Sequence, residues 1–404
     1  MSLRSLALDQ LEFKRSLDRT NEISHIFILP VLLRSPTDSL ATQSAAWESQ
    51  IAEANTQIIE RQREIDDIAF SLYGIDNEDR YAIEASLNSA LTPKDEAYSE
   101  VTDDDLEDAA DSPADTVSLV AALVSYAVGC AFGRWDVRYA IGALPTPTLP
   151  DPFAPLPVYS LGRLTGEDGL PTRVPQPGYP LRFDADGILT DDPDDDDDIV
   201  RRVRNFLDLV FGERAEAIER EACQILGVRD LRDYFRKPGA GGFWADHIRR
   251  YSKSRRKAPI YWLLQSPKRG YGLWLYYHRL DSDILYKAQV NYVEPKLRQV
   301  GERLDELRVR RAGAATPRDA RQADRAIEQQ EGLLADIGEF RDRLKRAADL
   351  GLAPDLNDGV VLTIAPLREL VPWSEAKRYW QELLAGKHEW SSIGQQLRAK
   401  GLVT

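Results

Sequence analysis

The chain has 404 residues, of which 43% are hydrophobic, and its formal net charge is −14 at pH 7. This length and composition predict two or three domains with enough apolar material for a core. No apolar run approaches the roughly 20 residues that a membrane-spanning helix needs, so we expect no such span.

Residue usage favours the cytoplasm and gives no indication of a metal centre. Met1–Leu17 is charged and amphipathic and lacks the apolar segment of a secretory signal. Cys130 and Cys223 lie in apolar, helical contexts, which favours reduced, structural thiols in the cytoplasm. The four histidines are too scattered to form a recognisable set of metal ligands. We therefore expect this chain to hold neither a metal nor another cofactor.

The N-terminal part is predicted to contain two helices separated by an acidic linker. Trp47–Leu72 places isoleucines at helical spacing, and Val117–Phe132 is apolar on nearly all sides, which is typical of a buried helix. Between them, Asp95–Asp115 holds ten acidic residues and no Lys or Arg. Gly142–Pro180 is rich in proline and glycine, so we expect an extended, loop-like segment.

A second acidic segment, Asp184–Asp198, holds nine acidic residues and again no Lys or Arg. Outside the two segments, 47 of the 66 acidic residues remain against all 52 basic ones. We interpret both segments as solvated, flexible loops. The alternative is that they repel DNA from one face of the protein or mimic DNA for a basic partner.

The middle of the chain is predicted to contain short helices and one β-hairpin. The helices are predicted over Ile199–Phe211, Glu213–Leu226, Leu231–Phe235 and Trp244–Tyr251. Two apolar and aromatic runs, Pro259–Ser266 and Tyr271–Arg279, flank the turn-forming Pro267–Gly270, which predicts a hairpin with a basic tip. Both runs are apolar at consecutive positions, so we expect the sheet to be covered on both faces.

Long charged helices dominate the predicted C-terminal part. Asp281–Arg311 and Pro317–Leu350 predict an antiparallel helical hairpin, interpreted as a coiled-coil arm. Asp358–Ile364 predicts a short strand, and Trp373–Leu384 and Trp390–Ala399 predict two further helices. The predicted fold class is α+β and mostly helical, with a small β-sheet recognition region and the long antiparallel helical hairpin.

The sign of the charge reverses locally between His247 and Leu280. This segment has no Asp or Glu, nine Lys and Arg residues, and aromatic residues among them. Basic side chains beside flat rings are the composition that a nucleic-acid surface needs. A buried hairpin flanked by solvated charge has the same composition, so composition alone leaves both interpretations open.

Catalytic signatures are mostly missing from the sequence. Glycine-rich phosphate-binding patterns, the metalloprotease pattern and the serine-hydrolase pattern do not occur. Pro354-Asp355 followed by Glu375-Ala376-Lys377 matches the loose carboxylate pattern of metal-dependent nucleases. That pattern is short and common, and its second half lies on a predicted amphipathic helix, so we favour ordinary surface residues.

Several short segments, taken in their order along the chain, form a recognisable set. They are Glu64–Ala69 with Leu72–Ile75, Leu123–Cys130 with Phe132–Arg134, Asp197–Val200, Leu231–Phe235, His247-Ile248, Pro259–Leu264, Tyr277–Arg279, and Asp358–Val360 with Ile364–Leu367. This ordered set resembles the C-terminal half of PglX-like adenine-specific DNA methyltransferases of bacteriophage defence (BREX) systems, to which type IIG restriction–modification enzymes and the DISARM methyltransferase are related. The likeness covers most of Trp47–Val403, and the ordered set is more specific than any one segment.

The resemblance implies a target-recognition region that docks double-stranded DNA beside a methyltransferase domain. The implied division is an N-terminal helical region with acidic linker (1–116), a target-recognition-like α+β domain with the basic hairpin (117–280), a helical hairpin arm (281–350), and a C-terminal strand and helices (351–404). The implied DNA contacts are Arg249, Arg250, Tyr251, Lys253, Arg255, Arg256, Lys257, Lys268, Arg269 and Arg279. Lys268 and Arg269 are the expected readers of base edges, and most of the other basic side chains are expected to hold phosphates.

The chain departs from the family at the catalytic motifs. It has neither the glycine-containing motif that binds S-adenosylmethionine nor the Asn-Pro-Pro-Tyr type motif that places the target adenine, and Asp151-Pro152-Phe153 is the nearest match to the latter. We therefore expect no enzyme in this chain alone, and a DNA-specificity subunit or fragment whose partner is a separate methyltransferase holding S-adenosylmethionine. The alternative is a protein-interaction scaffold of a defence complex that does not read DNA directly.

Overall fold

The computed structural model describes residues 3–34, 39–91, 115–253 and 256–403. The chain divides into two units: the first comprises Met1–Leu123 and Gly142–Arg163, and the second comprises Val124–Ile141 and Leu164–Thr404. The fold is α+β and mostly helical with a small sheet, which confirms the predicted fold class. Residues 95–114 of the first acidic segment lie outside the described residues, and the four-part division stays a prediction.

Helices dominate the first unit. They are α1 (Leu3–Asp18), α2 (Leu40–Tyr73), α3 (Asn77–Leu91) and the beginning of α4 (Thr116–Ala131). Helix α2 begins after Ser39, whose side chain accepts a hydrogen bond from the backbone N–H of Thr42 at 3.4 Å. It ends at Gly74, which adopts a left-handed conformation with φ of 65°. The predicted helix Trp47–Leu72 is thus confirmed and is longer at both ends.

The C-terminal part of α4 belongs to the second unit, and its residues are mostly buried, as the apolar sequence predicts. The helices that follow are α5 (Val137–Ala140), α6 (Ile199–Phe211), α7 (Ala215–Leu226), α8 (Leu231–Arg236) and α9 (Phe243–Arg250). Aspartate side chains cap the N-termini of two of these helices. Asp198 caps α6 by accepting a hydrogen bond from the N–H of Arg201 at 3.0 Å, and Asp230 caps α8 by accepting one from the N–H of Asp233 at 2.8 Å.

The small sheet lies in the second unit and is antiparallel. Its strands are β1 (Ile188–Thr190), β4 (Tyr261–Gln265) and β5 (Gly272–Tyr276), in the order β1-β5-β4. Tyr261 pairs with Tyr276 and Gln265 with Gly272, and every residue of β4 and β5 is buried. The predicted hairpin and its coverage on both faces are therefore confirmed. A separate two-residue ladder joins β2 (Ser252–Lys253) to β3 (Arg256–Lys257).

Strand β1 lies inside the acidic segment Asp184–Asp198, so the interpretation of this segment as a solvated, flexible loop was wrong. Asp191, Asp192 and Asp198 are each at most 4% exposed. Arg232 binds Asp191 at 2.5 Å and Asp198 at 2.8 Å, and Lys296 binds Asp192 at 2.7 Å. Basic side chains from elsewhere in the chain form ion pairs with these carboxylates. The carboxylates can therefore be buried although they belong to a run of like charges.

A helical hairpin follows the sheet. It contains α10 (Ile284–Lys287), a π-helical turn (Ala288–Val293), α11 (Glu294–Ala312) and α12 (Pro317–Asp349). The ion pairs Arg308–Glu331 at 2.9 Å and Arg311–Asp324 at 2.5 Å connect α11 to α12 in antiparallel order. The antiparallel pair of long helices agrees with the prediction. The coiled-coil interpretation stays a prediction.

The C-terminal segment is helical where the sequence predicted a strand over Asp358–Ile364. Gly359 has a φ of 82°, and α13 (Val360–Ile364) follows it. The Thr363 hydroxyl donates to the carbonyl of Gly359 at 2.8 Å, four residues back, which is a helical contact. The apolar, β-branched composition misled the prediction because burial decides over strand propensity here. Two more helices complete the chain, α14 (Ser374–Leu384) and α15 (Ser392–Ala399).

Over the described ranges, no helix has both the length and the apolar character that crossing a lipid bilayer requires.

Candidate nucleic-acid interface

The tip of the β4–β5 hairpin is fixed to helix α12 by one carboxylate. Asp336 of α12 is 3% exposed and accepts three hydrogen bonds from the tip. The donors are the Ser266 hydroxyl at 2.6 Å, the Lys268 N–H at 2.7 Å and the Gly270 N–H at 3.1 Å. Such bonds to a charged acceptor are among the stronger ones in proteins. The backbone of the tip is therefore held in one position.

The tip carries two cationic residues between Pro267 and Gly270. Lys268 and Arg269 are both exposed. The N–H of Arg269 donates to the carbonyl of Ser266 at 2.9 Å, which closes the turn. Arg269 has a φ of 60°, and among the described residues it is the one non-glycine with a positive φ. A rigid turn thus presents two cationic side chains.

Helix α9 presents the next two predicted cations. Arg249 has a side chain that is 62% exposed and binds Asp246 at 2.9 Å. Asp246 also accepts a hydrogen bond from the Tyr234 hydroxyl at 2.6 Å, so this carboxylate is shared. Arg250 is half-buried at the helix end. Arg249 remains accessible despite its ion pair, because exposed pairs are weak and exchange readily.

The ladder β2–β3 carries three further cations of the basic segment, Lys253, Arg256 and Lys257. Ser252 lies opposite Lys257, and Lys253 lies opposite Arg256. Arg255 lies outside the described residues, and only the backbone of Lys253 and Arg256 is described. The Lys257 ammonium nitrogen lies 3.6 Å from a carboxylate oxygen of Glu375 on α14. The sequence predicted basic residues here, but it did not predict this second, shorter hairpin.

Two of the ten predicted contact residues make internal contacts in the second unit: Arg279 is buried and Tyr251 is half-buried. Arg279 is 6% exposed, and its guanidinium donates to the backbone carbonyl of Thr172. Tyr251 accepts a hydrogen bond from Arg134, and its ring lies 4.5 Å from that of His247. Both side chains are engaged in internal contacts.

His247 connects α9 to the beginning of β4. Its Nε2 atom accepts hydrogen bonds from the N–H groups of Ile260 at 2.9 Å and Tyr261 at 3.0 Å. Burial lowers the pKa of this imidazole well below 6.5, and the positive charges of Arg250 and Arg134 lower it further. The ring is therefore neutral and structural, since an Nε2 atom that accepts two hydrogen bonds carries no proton.

The structure separates the rings of the basic segment from its accessible cations. The aromatic residues of the two long strands and their flanks are buried. They are Tyr261, Trp262, Tyr271, Trp274, Tyr276 and Tyr277. Lys268, Arg269 and Arg249 are exposed. The rings form the core beneath the tip, and the cations remain available to an anionic partner.

A polar groove of about 460 Å³ lies beside the hairpin tip. Its cations are Arg269, Arg343, Arg346, Arg368 and Lys377. Four of these were missed from the sequence. Arg343 and Arg346 lie one helical turn apart near the end of α12, but the same spacing occurs throughout this charged helix. Only the packing of α12 against the tip distinguishes them, so no local signal was sufficient to find them.

The two carboxylates of the nuclease-like pattern have structural roles. Asp355 accepts a hydrogen bond from the N–H of Asn357 at 2.9 Å, and Glu375 pairs with Lys257 and Arg378. Within the ranges that the structure covers, no group of three or more His, Cys, Asp or Glu side chains is arranged to hold a metal ion.

The sequence is similar to two curated proteins, while no family model matches it. It is 28% identical over 273 residues to the adenine-specific methyltransferase BrxX of Escherichia coli O9:H4 (strain HS), covering 64% of this chain and 20% of that protein. It is 25% identical over 330 residues to the adenine-specific methyltransferase PglX of Lacticaseibacillus casei (strain Zhang), covering 79% of this chain and 23% of that protein. The chain thus spans about a fifth of the length of these relatives.

These similarities correct the expectation that the chain is not an enzyme. Both relatives are named as adenine-specific methyltransferases, so the similarity is to enzymes. The expectation rested on motifs missing from a sequence that matches about a fifth of each relative. Catalytic motifs of the relatives can lie in the four fifths of their length that this chain does not match. The absence of such motifs from this chain is therefore no argument against an enzyme.

Proposed function

We propose that this chain is the DNA-docking, target-recognition portion of an adenine-specific DNA methyltransferase of the BREX phage-defence type. The observation that carries the proposal is the similarity to BrxX over 273 residues, because the name of that protein specifies both the reaction and the base. The proposed partners are double-stranded DNA and a methyltransferase subunit or domain, to which we assign the binding of S-adenosylmethionine.

The geometry of the hairpin tip supports a DNA-docking role. The buried Asp336 holds the backbone of the tip, while Lys268 and Arg269 are exposed. A side chain that is fixed at its base loses less conformational entropy on binding than one on a mobile loop. Lys and Arg are also the side chains that most often contact guanine edges in the major groove. We therefore assign base reading to the tip.

The basic segment beside the tip is assigned to the phosphates. Its proposed contacts are Arg249, Arg250, Lys253, Arg255, Arg256 and Lys257. Arg249 supports this assignment because its side chain is 62% exposed. Arg279 and Tyr251 are left out of the proposed surface, because each already has an internal partner.

Selection from a pool of random duplexes tests the proposal. The purified chain is immobilised, incubated with the pool at low salt and washed at increasing salt, and the retained DNA is sequenced. We expect enrichment of a short motif that contains adenine, and we expect Lys268→Ala to weaken that enrichment. A scaffold without DNA recognition retains no duplex above the level of the support, and this result would overturn the proposal.

A further inference from the structure

We infer that the groove beside the hairpin tip binds a backbone phosphate of the docked duplex, with Arg269 and Lys377 as its principal contacts. This inference rests on the proposed function and adds a second phosphate site to it. Besides Arg269 and its neighbours in the hairpin, the site uses residues of α12, α14 and the segment between α13 and α14, which lie outside the basic segment His247–Leu280. It also changes the assignment of Arg269 from a reader of bases to a contact of the backbone.

The charge of the groove favours an anion. Its lining includes five Arg and Lys side chains and two carboxylates, Glu339 and Glu369. Glu339 binds Arg343 at 2.6 Å, and Glu369 binds Arg346 at 2.7 Å. The hydrogen bond from Arg346 lowers the pKa of Glu369 below its usual range, so this carboxylate is already stabilised as an anion by its partner.

Glu369 also lies 3.6 Å from the guanidinium of Arg368, so two cations of the groove are left over from these pairs. Among the described residues, neither Arg269 nor Lys377 has a carboxylate within ion-pair distance, and Lys377 is exposed. A DNA phosphate bound by these two side chains would release cations condensed on the DNA, and this release is a large source of affinity in protein–DNA binding.

The backbone of Arg269 supports a functional role for its side chain. A φ of 60° places it in the left-handed region, which costs a non-glycine residue about 1 kcal/mol or more. Glycine at this position would relieve that strain, and Gly270 follows immediately in the chain. The strained arginine is held by the Asp336 anchor on both of its sides, at the N–H groups of Lys268 and Gly270.

The position of the groove relative to Lys268 fits a duplex. Arg269 lines the groove, whereas the adjacent Lys268 is exposed outside it. A side chain that enters a groove of B-DNA has sugar–phosphate backbone on either side of it. Lys268 can therefore approach bases while Arg269 and Lys377 hold the neighbouring phosphate.

The test measures how DNA affinity depends on salt in the full chain and in two single variants, Arg269→Gln and Lys377→Gln. Neither residue is paired with a described carboxylate, so neither substitution strands a buried charge. We expect each to weaken binding to selected and random duplexes alike, by roughly threefold or more at moderate salt. We also expect each to reduce the slope of log K against log salt by about 0.9, the value for one lost phosphate contact. The control Arg310→Gln removes one exposed positive charge from α11, away from the groove, and should leave the slope unchanged.

A duplex carrying single methylphosphonates gives an independent readout, because each removes one phosphate charge. At one or two positions the neutral linkage should weaken binding by the parent chain but not by the Arg269→Gln/Lys377→Gln double variant. If the parent chain binds duplexes while both variants keep its slope and its methylphosphonate profile, the groove assignment is wrong and the proposed function stands. If the parent chain binds no duplex at all, the proposed function itself fails.

Discussion

At the scale of single residues, Arg269 combines a cost to stability with a role in binding. The left-handed backbone costs an arginine about 1–2 kcal/mol, whereas glycine adopts it freely and loses about 0.5–1 kcal/mol through the greater entropy of its unfolded state. We therefore expect Arg269→Gly to raise the free energy of unfolding by up to about 1 kcal/mol while weakening DNA binding. Urea unfolding and fluorescence anisotropy with a labelled duplex measure the two effects.

The matched control for Arg269→Gly is Lys268→Gly, at the neighbouring position of the same turn. Lys268 lacks the positive φ, so glycine there gains no relief of strain and should be neutral or destabilising. A fall in stability for Arg269→Gly as large as that for Lys268→Gly would contradict the strain argument.

His247 should make stability depend on pH in a defined direction. Its pKa in the folded protein lies well below 6.5, mainly because of burial, so the unfolded chain binds the proton more readily. Its contribution to stability is therefore complete above 6.5 and is lost as the pH falls toward the folded-state pKa. The loss is at most about 1.4 kcal/mol per pH unit. Denaturant unfolding between about pH 7.5 and 5.5 measures this slope.

The variant His247→Gln keeps an acceptor for the N–H groups of Ile260 and Tyr261 but cannot titrate. We expect a shallower dependence of stability on pH than in the parent chain. His25→Gln is the control, because His25 is exposed. Equal slopes in the parent chain and in His247→Gln would show that other groups cause the pH dependence.

Single residues also show the limit of composition as a guide. The sequence predicted a mixture of rings and cations over His247–Leu280, and the structure separates them into a buried aromatic layer and exposed cations. Alternation along a chain does not say which side chains face solvent when both faces of a strand are covered. The exposed tip was predictable because the turn residues Pro267–Gly270 fix its place.

At the scale of elements, the contact between the hairpin tip and α12 depends on Asp336. Asp336→Ala removes an acceptor from two backbone N–H groups and one hydroxyl. Because Asp336 is buried, we expect a loss of about 2–4 kcal/mol in the free energy of unfolding. We also expect weaker discrimination between duplex sequences, because the tip loses its fixed position.

Asp342→Ala on the same helix is the control for this experiment. Its carboxylate is 55% exposed and pairs with the adjacent Arg341. Surface changes of this kind stay within about 0.5 kcal/mol. Thermal unfolding distinguishes the two variants, and similar losses in both would show that the tip is held by other contacts.

The buried acidic segment around β1 supplies a second test at this scale. Arg232 binds Asp191 and Asp198, which are 4% and 2% exposed. Burial raises the pKa of Asp191 more than Arg236 and Arg232 lower it, so this carboxylate depends on its partners. We expect Arg232→Met to cost about 3 kcal/mol because it leaves buried charge uncompensated. Arg220→Met, which breaks an exposed pair with Glu216, should cost less than about 1 kcal/mol.

Two elements that the sequence analysis missed, β1 and α13, share one physical cause. Strand β1 lies in an acidic segment, and its three residues are buried because β5 and distant arginines meet there. Helix α13 has strand-like composition but follows a glycine with positive φ. In both cases long-range packing outweighed local propensity, which is a weak determinant for segments of three to five residues. The long helices were predictable because their periodicity extends over many turns.

At the scale of the whole molecule, the net charge of −14 gives no measure of DNA affinity. Most carboxylates of the second acidic segment pair with basic side chains of the same chain, whereas the proposed phosphate contacts include six basic residues between Arg249 and Lys257. Six contacts predict a slope of log K against log salt of about −5, and the groove makes it steeper. Filter binding at several salt concentrations measures this slope.

The triple variant Lys253→Gln/Arg255→Gln/Arg256→Gln should reduce the magnitude of this slope by about 2.7, or 0.9 for each of three contacts. Circular dichroism at each salt concentration verifies that the variant is folded. A parent slope near zero would favour the scaffold interpretation, since a surface without phosphate contacts has no steep salt dependence.

The Asp336 anchor also has a consequence for protein synthesis. Asp336 lies 66 to 70 residues beyond the tip residues that it binds. At about 5–20 residues per second, a ribosome needs roughly 3–14 s to add that length. During this interval the nascent tip has no anchor, although both of its apolar strands have already been made. The register of the turn is therefore settled late in translation, and a pause in the α11 codons would prolong exposure of the unfinished sheet to chaperones.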